Sequence, residues 1–185
     1  MSKIRIALAL LFISELAFSQ VVFDNRVVVD QTGLANQVES VYTADLDGDG
    51  DLDLISASRA DNKIAWYDNL DGNGNYGPQI VLSTDAENAV TVYAGDIDGD
   101  GYMDILSGSF DDEKIAWYEN TDGQGNFSEE IIISEDANAV FGVNSLYAVD
   151  MDGDDDLDVL ASSFFDNKIS WIENLDGQGS FGPAQ

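Results

Sequence analysis

The chain has 185 residues, enough for one domain, and its 36 Asp and Glu residues against 7 Lys and Arg residues give a formal net charge of −29. A surface this acidic argues against nucleic acid and anionic lipid as partners, because both are bound through basic patches. The chain has no cysteine and no histidine, which excludes disulfides, cysteine nucleophiles and histidine-based catalytic triads.

Residues 1–19 are predicted to be a secretory signal peptide. Lys3 and Arg5 supply the positive start, residues 6–14 form a short apolar run, and small residues precede the expected cleavage point. The run is too short to span a bilayer, so we expect no membrane insertion. The predicted localisation of the mature chain is extracellular or at the cell surface. The alternative for this segment is a buried N-terminal helix.

The rest of the chain, residues 20–185, is predicted to be one repeat region. Trp66, Trp117 and Trp171 recur at intervals of 51 and 54 residues, and an acidic loop recurs at the same intervals. Such a period is typical of stacked repeats that bury their apolar faces against one another. The units cover about residues 23–75, 76–126 and 127–180, and a fourth unit begins at residues 181–185.

Each unit contains four short segments with the composition of β-strands. The first follows an aromatic residue, the second enters the acidic loop, the third leaves it, and the fourth carries the tryptophan. The segments are 26–29, 40–44, 54–57 and 63–67, then 79–82, 91–94, 105–108 and 114–118, then 131–133, 145–148, 159–162 and 168–172. This pattern predicts an all-β fold, a β-propeller-type array of four-stranded blades with three repeat units. The tryptophans are expected in the core between blades, with a ligand-stacking platform as the alternative.

The acidic loop is a nine-residue stretch with aspartate at positions 1, 3, 5 and 9 and glycine at position 4. Carboxylates this close repel one another, so each loop without a cation opposes its own folding. Calcium takes six to eight oxygen ligands at about 2.3–2.6 Å in flexible geometry, and a curled backbone can aim alternate aspartates at one centre. We therefore predict about three calcium sites, with a solvated acidic turn as the alternative for any one loop.

The predicted ligands are the carboxylates at positions 1, 3, 5 and 9 and the backbone carbonyl at position 7. They are Asp45, Asp47, Asp49, Asp51 and Asp53 in the first loop, Asp96, Asp98, Asp100, Tyr102 and Asp104 in the second, and Asp150, Asp152, Asp154, Asp156 and Asp158 in the third. An EF-hand is excluded because it needs a glutamate at position 12, where this chain has Ser56, Ser107 and Ala161.

The acidic loop with its flanking strands resembles the FG-GAP or VCBS repeat, the blade unit of integrin-α-like β-propellers. The stretch Ile-Ala-Trp-Tyr-Glu-Asn at 115–120 and the following Gly-rich turn resemble the version found in secreted bacterial proteins. The resemblance implies calcium in each loop but no particular activity. Family propellers close with more blades than three, so we expect apolar faces left open, in a fragment or in an oligomer that self-associates.

The predicted function is a secreted calcium-binding module for adhesion or for binding an extracellular protein or glycan, with no catalytic residues of its own. The repeated acids are explained as calcium ligands, and the segment that most interrupts the repeat, Val140–Asn144, contains no acid, base or nucleophile. The first alternative is a fragment or accessory domain of a larger exported enzyme acting on polysaccharide. The second is a structural spacer in a larger exported protein.

Overall fold

The computed structural model describes residues 35–136 and 140–185, and all of its named elements are β-strands. The strands are β1 (Val38–Ala44), β2 (Asp53–Ser58), β3 (Lys63–Tyr67), β4 (Ile80–Ser83), β5 (Ala89–Gly95), β6 (Asp104–Ser109), β7 (Ile115–Tyr118), β8 (Ile131–Ser134), β9 (Val143–Val149), β10 (Asp158–Ser163) and β11 (Lys168–Ile172). The predicted signal peptide and the segment 26–29 lie outside the described residues. Within those residues, no helix has the length and apolar character needed to cross a membrane.

The strands form three antiparallel sheets, which confirms the predicted all-β, propeller-like array. The sheet orders are β1-β2-β3-β4, β5-β6-β7-β8 and β11-β10-β9. Each sheet starts with the strand that enters an acidic loop, and a tight turn then joins the strand leaving the loop to the tryptophan strand. Short segments rich in β-branched residues between turn residues account for these strands, and the observed bounds match the predicted ones closely.

Each sheet is offset by one strand from the repeat unit defined by the sequence, because the first strand of a unit belongs to the preceding sheet. The Gly-rich turns at residues 71–74 and 122–125, which lie at the ends of the first two sequence units, reverse the chain within a sheet. The next aromatic-led strand therefore pairs back onto the tryptophan strand, as in Trp66↔Ile80. In the third sheet the last residues take this position, because Gln185 and Trp171 exchange two backbone hydrogen bonds of 2.8 and 3.0 Å. The repeat period is unchanged by this offset.

The sheets stack face to face, and one apolar cluster fills each of the two interfaces. Trp66 and Trp117, which are 3 and 4% exposed, lie in the first and second clusters, as expected for core residues. The expectation was wrong for Trp171, which is half-buried and belongs to neither cluster because no sheet in the described part of the chain covers the third one. Trp66 meets Phe127 edge-on, with ring centroids 6.1 Å apart. The inner strands β1, β5 and β9 run side by side, and their tyrosines Tyr42, Tyr93 and Tyr147 form a continuous row of ring contacts.

The outer face of the third sheet is open. Ile64 and Ile115 occupy equivalent positions in the first two sheets and are fully buried, whereas Ile169 in the third sheet is 80% exposed. A shallow hollow of about 180 Å³ on this face is lined by Tyr147, Leu160 and Ile169 among others. This face therefore carries the residues of an inter-sheet core without a sheet against them in the described structure.

The turns at the end of the sheets opposite the acidic loops are closed by a repeated lysine–aspartate pair. The Nζ atoms of Lys63 and Lys168 lie 2.9 Å from the carboxylates of Asp61 and Asp166, and Lys114 pairs with both Asp112 and Glu130. A lysine–aspartate ion pair is thus present in all three sheets.

Gly108 in β6 allows the second and third sheets to approach closely. A Cβ atom there would lie 2.7 Å from both Thr91 Cγ2 and Val143 Cγ1, which belong to opposite sides of the interface. We expect Gly108→Ala to lower the free energy of unfolding by about 1–3 kcal/mol, because a packed core resists an added methyl group. Chemical denaturation measures this loss. The control is Gly77→Ala, whose nearest atoms would lie 3.6 Å away; equal effects of the two variants would contradict the prediction.

Candidate metal centre

Each acidic loop brings three carboxylates together at the same corner of its sheet. The groups are Asp45, Asp47 and Asp53 in the first sheet, Asp96, Asp98 and Asp104 in the second, and Asp150, Asp152 and Asp154 in the third. One ligand oxygen from each member lies within 4.8 Å of the others. Oxygens on opposite sides of one calcium ion are separated by about 4.6–5.2 Å, so these spacings fit a shared hard cation.

The structure brings together some predicted ligands and separates others. Positions 1 and 3 belong to the carboxylate group in all three loops, position 9 in the first two, and position 5 in the third. At position 7, the side chains of Asp51, Tyr102 and Asp156 lie against the first glycine of the Gly-rich turn, where an added Cβ would overlap them. These side chains are not members of the carboxylate groups, so the backbone carbonyl at position 7 stays a predicted ligand.

Backbone N–H groups hold the first carboxylate of each loop. In the first loop, Gly48 N and Gly50 N donate to the two oxygens of Asp45 at 2.8 and 3.0 Å. The second and third loops repeat the bond from position 6 to the first aspartate. Position 6 has a positive φ in every loop, including Asp155 in the third, which stands where the others have glycine. The loop thus curls around its first aspartate.

The aspartate at position 9 of each loop is buried and lies at the base of the loop. Asp53, Asp104 and Asp158 are at most 1% exposed. In the second sheet, Asp104 accepts hydrogen bonds from Ile97 N at 2.9 Å and Asn120 N at 2.8 Å, and the other two sheets repeat this pair. Burial raises the pKa of Asp104 to about 7 despite these two donors. The buried carboxylate therefore resists ionisation unless a cation is close to it.

The aspartate at position 3 of each loop also has a perturbed pKa. The pKa values of Asp47, Asp98 and Asp152 are raised, first by burial and then by the surrounding carboxylates. Some of these neighbours lie outside the loops, at the residue after the tryptophan strand: Asp68, Glu119 and Glu173. The sequence analysis missed these acids, although they recur at the loop period of 51 and 54 residues.

A buried asparagine connects each loop to the rest of its sheet and was also missed. Asn120 Nδ2 donates to Met103 O at 3.2 Å and to Leu46 O of the neighbouring sheet at 2.8 Å, and its Oδ1 accepts from Gly123 N. Asn174 repeats the bridge by donating to Ile97 O of the second sheet at 2.9 Å. The signal was present in the sequence as the asparagine that closes each Trp-x-x-Asn stretch.

The sequence that contains these loops matches the model of a known protein family. The profile of the FG-GAP-like repeat matches residues 45–107 and 100–161, which together cover well over half of the chain. The chain belongs to the FG-GAP-like repeat family. Each match starts within an acidic loop and ends in or beside the strand that follows the next loop. No curated protein matches the chain.

We expect Asn120→Ala to lower the free energy of unfolding by about 3 kcal/mol. The change leaves the buried carbonyl of Leu46 and the partly buried Met103 carbonyl and Gly123 N–H without their partner, and each unsatisfied buried group costs about 1–3 kcal/mol. In a chain of this size this loss lowers the melting temperature by about 10 °C, which calorimetry measures. The control is Asn75→Ala in the exposed part of the Gly-rich turn. A loss in Asn120→Ala no larger than in the control would contradict the bridging role.

Proposed function

We propose that the chain is a secreted, calcium-binding β-propeller repeat module that binds an extracellular protein or glycan and performs no catalysis of its own. The observation that carries the proposal is the threefold repetition of a carboxylate group at the same corner of three stacked sheets. All ligand atoms in these groups are oxygens, which favours calcium over the metals that prefer histidine or cysteine.

Calcium would act on the stability and the shape of the array. The loops join the first and second strands of each sheet, and the buried asparagines tie the first two loops to the following sheet. A cation that offsets carboxylate repulsion at these corners would hold neighbouring sheets in a fixed relation. The predicted export from the cell is consistent with this role, because extracellular modules use calcium sites of modest affinity.

The absence of catalysis is proposed from the placement of the acids. The recurring acids of the loops form the three carboxylate groups or lie beside them. The recurring acids of the opposite turns form ion pairs with the repeated lysines. The segment that breaks the repeat adds Phe141 and Asn144 to the surface rather than an acid or a nucleophile. This distribution is that of a binding scaffold.

A thermal melt with and without calcium tests the metal sites. Binding to the folded state alone stabilises by about 2.7 kcal/mol per site at a hundredfold excess of free ligand over its dissociation constant. We expect calcium to raise the melting temperature by several degrees per occupied site, and we expect Asp98→Asn to remove one site's share of that rise. Glu129→Gln, which changes an exposed acid outside the loops, is the control. Identical melts in calcium and in chelator would refute the calcium proposal.

We further propose that the chain self-associates through the open face of the third sheet. This face is lined by Ile169, Leu160 and Tyr147, and it is the kind of apolar surface that is buried in the two interfaces between neighbouring sheets. We expect sedimentation to show oligomers at raised salt, where the repulsion between highly charged copies is screened. Ile169→Glu should give monomers, while Leu70→Glu, also at an exposed position, should not. A monomeric parent chain would exclude this contact.

A further inference from the structure

Four phenylalanines gather at the end of the sheets opposite the acidic loops. Phe110 and Phe164 follow the ends of β6 and β10, Phe165 is next to Phe164, and Phe141 comes from the segment before β9. Neighbouring rings lie 5.0 to 6.2 Å apart between centroids. Phe164, Phe165 and Phe141 are nevertheless 64, 53 and 41% exposed. We call these four residues the phenylalanine cluster.

The cluster is built into the fold rather than left on a loose loop. Phe164 N donates to Gly142 O at 2.9 Å, and Phe165 N donates to Phe141 O at 3.2 Å. Gly142 has φ +74°, and a Cβ there would lie 2.8 Å from the Phe165 ring and 3.3 Å from the Phe110 ring. Asn88 takes the equivalent left-handed position in the second sheet. Glycine in the third sheet thus lets two rings cover the backbone.

A groove runs from the cluster across all three sheets. It has a volume of about 380 Å³ and is lined by Glu39, Arg59, Val90, Phe110, Asn144 and Phe164. Arg59 occupies in the first sheet the position that Phe110 and Phe164 occupy in the others, so the wall is aromatic at one end and charged at the other. Arg59 is paired with Glu39 at 3.5 Å. The volume is sufficient for one or two large side chains.

Phe110, which lines the groove, adjoins two exposed acids, and we call this part of the surface the rim. Glu87 and Asp111 are exposed beside Phe110, and the backbone N–H of Asp111 donates to Glu87 O at 3.1 Å, which fixes the two residues next to each other. The cations at this end, Arg59 and the three repeated lysines, are each already paired with an acid. The rim therefore presents net negative charge next to exposed aromatic rings, on a chain whose total charge is strongly negative.

We infer that this groove binds a segment of a partner protein that inserts an apolar side chain against the phenylalanine cluster and sets lysine or arginine against Glu87 and Asp111. Exposed aromatic groups with a polar rim are typical of protein-binding sites, and complementary charge gives such sites their selectivity and fast association. The aromatic end of the groove, at Phe110 and Phe164, offers no hydrogen-bonding side chain to a sugar, which favours an apolar side chain of a protein as its occupant. The inference rests on the proposed role as a binding module and names the site and partner class.

Selection from a displayed library of random peptides tests the inference on the full chain in calcium. We expect enriched peptides to combine an aromatic or large aliphatic residue with lysine or arginine. Their affinity should fall about tenfold or more in Phe164→Ser, as for loss of an interface anchor, and should weaken with salt. Glu87→Gln combined with Asp111→Asn should remove most of the preference for basic over neutral peptides. Leu70→Ser, an exposed apolar position at the other end, is the matched control.

The outcomes separate this inference from the calcium proposal. Phe164→Ser should keep the calcium-dependent rise in melting temperature, because Phe164 is exposed and far along the strands from every loop. Enrichment of acidic peptides, equal binding to the parent chain and to Phe164→Ser, or no enrichment at all would overturn the inference and leave the calcium sites untouched. Selective binding of oligosaccharides that Phe164→Ser abolishes would assign the groove to a glycan instead.

Discussion

In every sheet, the carboxylate of the ninth loop residue is buried at the base of the acidic loop with two backbone N–H groups as donors. One donor comes from the start of the same loop and the other from the asparagine after the tryptophan strand. This bond pair fixes the loop to two strands at once. In the second sheet, burial raises the pKa of this carboxylate, Asp104, to about 7, so its ionised form needs compensation that the two hydrogen bonds supply only in part.

The asparagine extends this constraint from one sheet to the next. Asn120 and Asn174 each reach a carbonyl in the loop of the preceding sheet, so the loop, its own sheet and the following sheet form one hydrogen-bonded unit. The Gly-rich turn completes the contact, because Gly125 leaves room for the Trp66 ring beneath it. The acidic loops are therefore part of the packing between sheets, and a cation bound there would influence the whole array.

The two ends of the sheets have different characters. The loop end repeats with little variation, and its polar groups are directed at one another and at the carboxylate groups. The opposite end keeps a constant lysine–aspartate pair but varies beside it, from Arg59 in the first sheet to Phe110 and Phe164 in the others. One end is thus constant and fixes the array, whereas the other end differs from sheet to sheet. Repeat scaffolds that bind through one side are expected to combine two such ends.

The sequence by itself determined the strands, their period and the acidic loops, because each depends on local spacing: short apolar segments between turn residues, and aspartates at fixed positions around a glycine. It also identified Trp66 and Trp117 as core residues, whereas Trp171 on the open third sheet is only half-buried. Tertiary structure decided what depends on distant pairing. It assigned the aromatic-led strand to the preceding sheet, because a tight turn joins antiparallel neighbours within one sheet. It also placed Asn120 against Leu46 and gathered Phe110, Phe141 and Phe165 around Gly142. Asn120 is far from Leu46 in the chain, and Phe110 and Phe165 are far from Phe141 and Gly142, so only the stacking of the sheets brings them into contact.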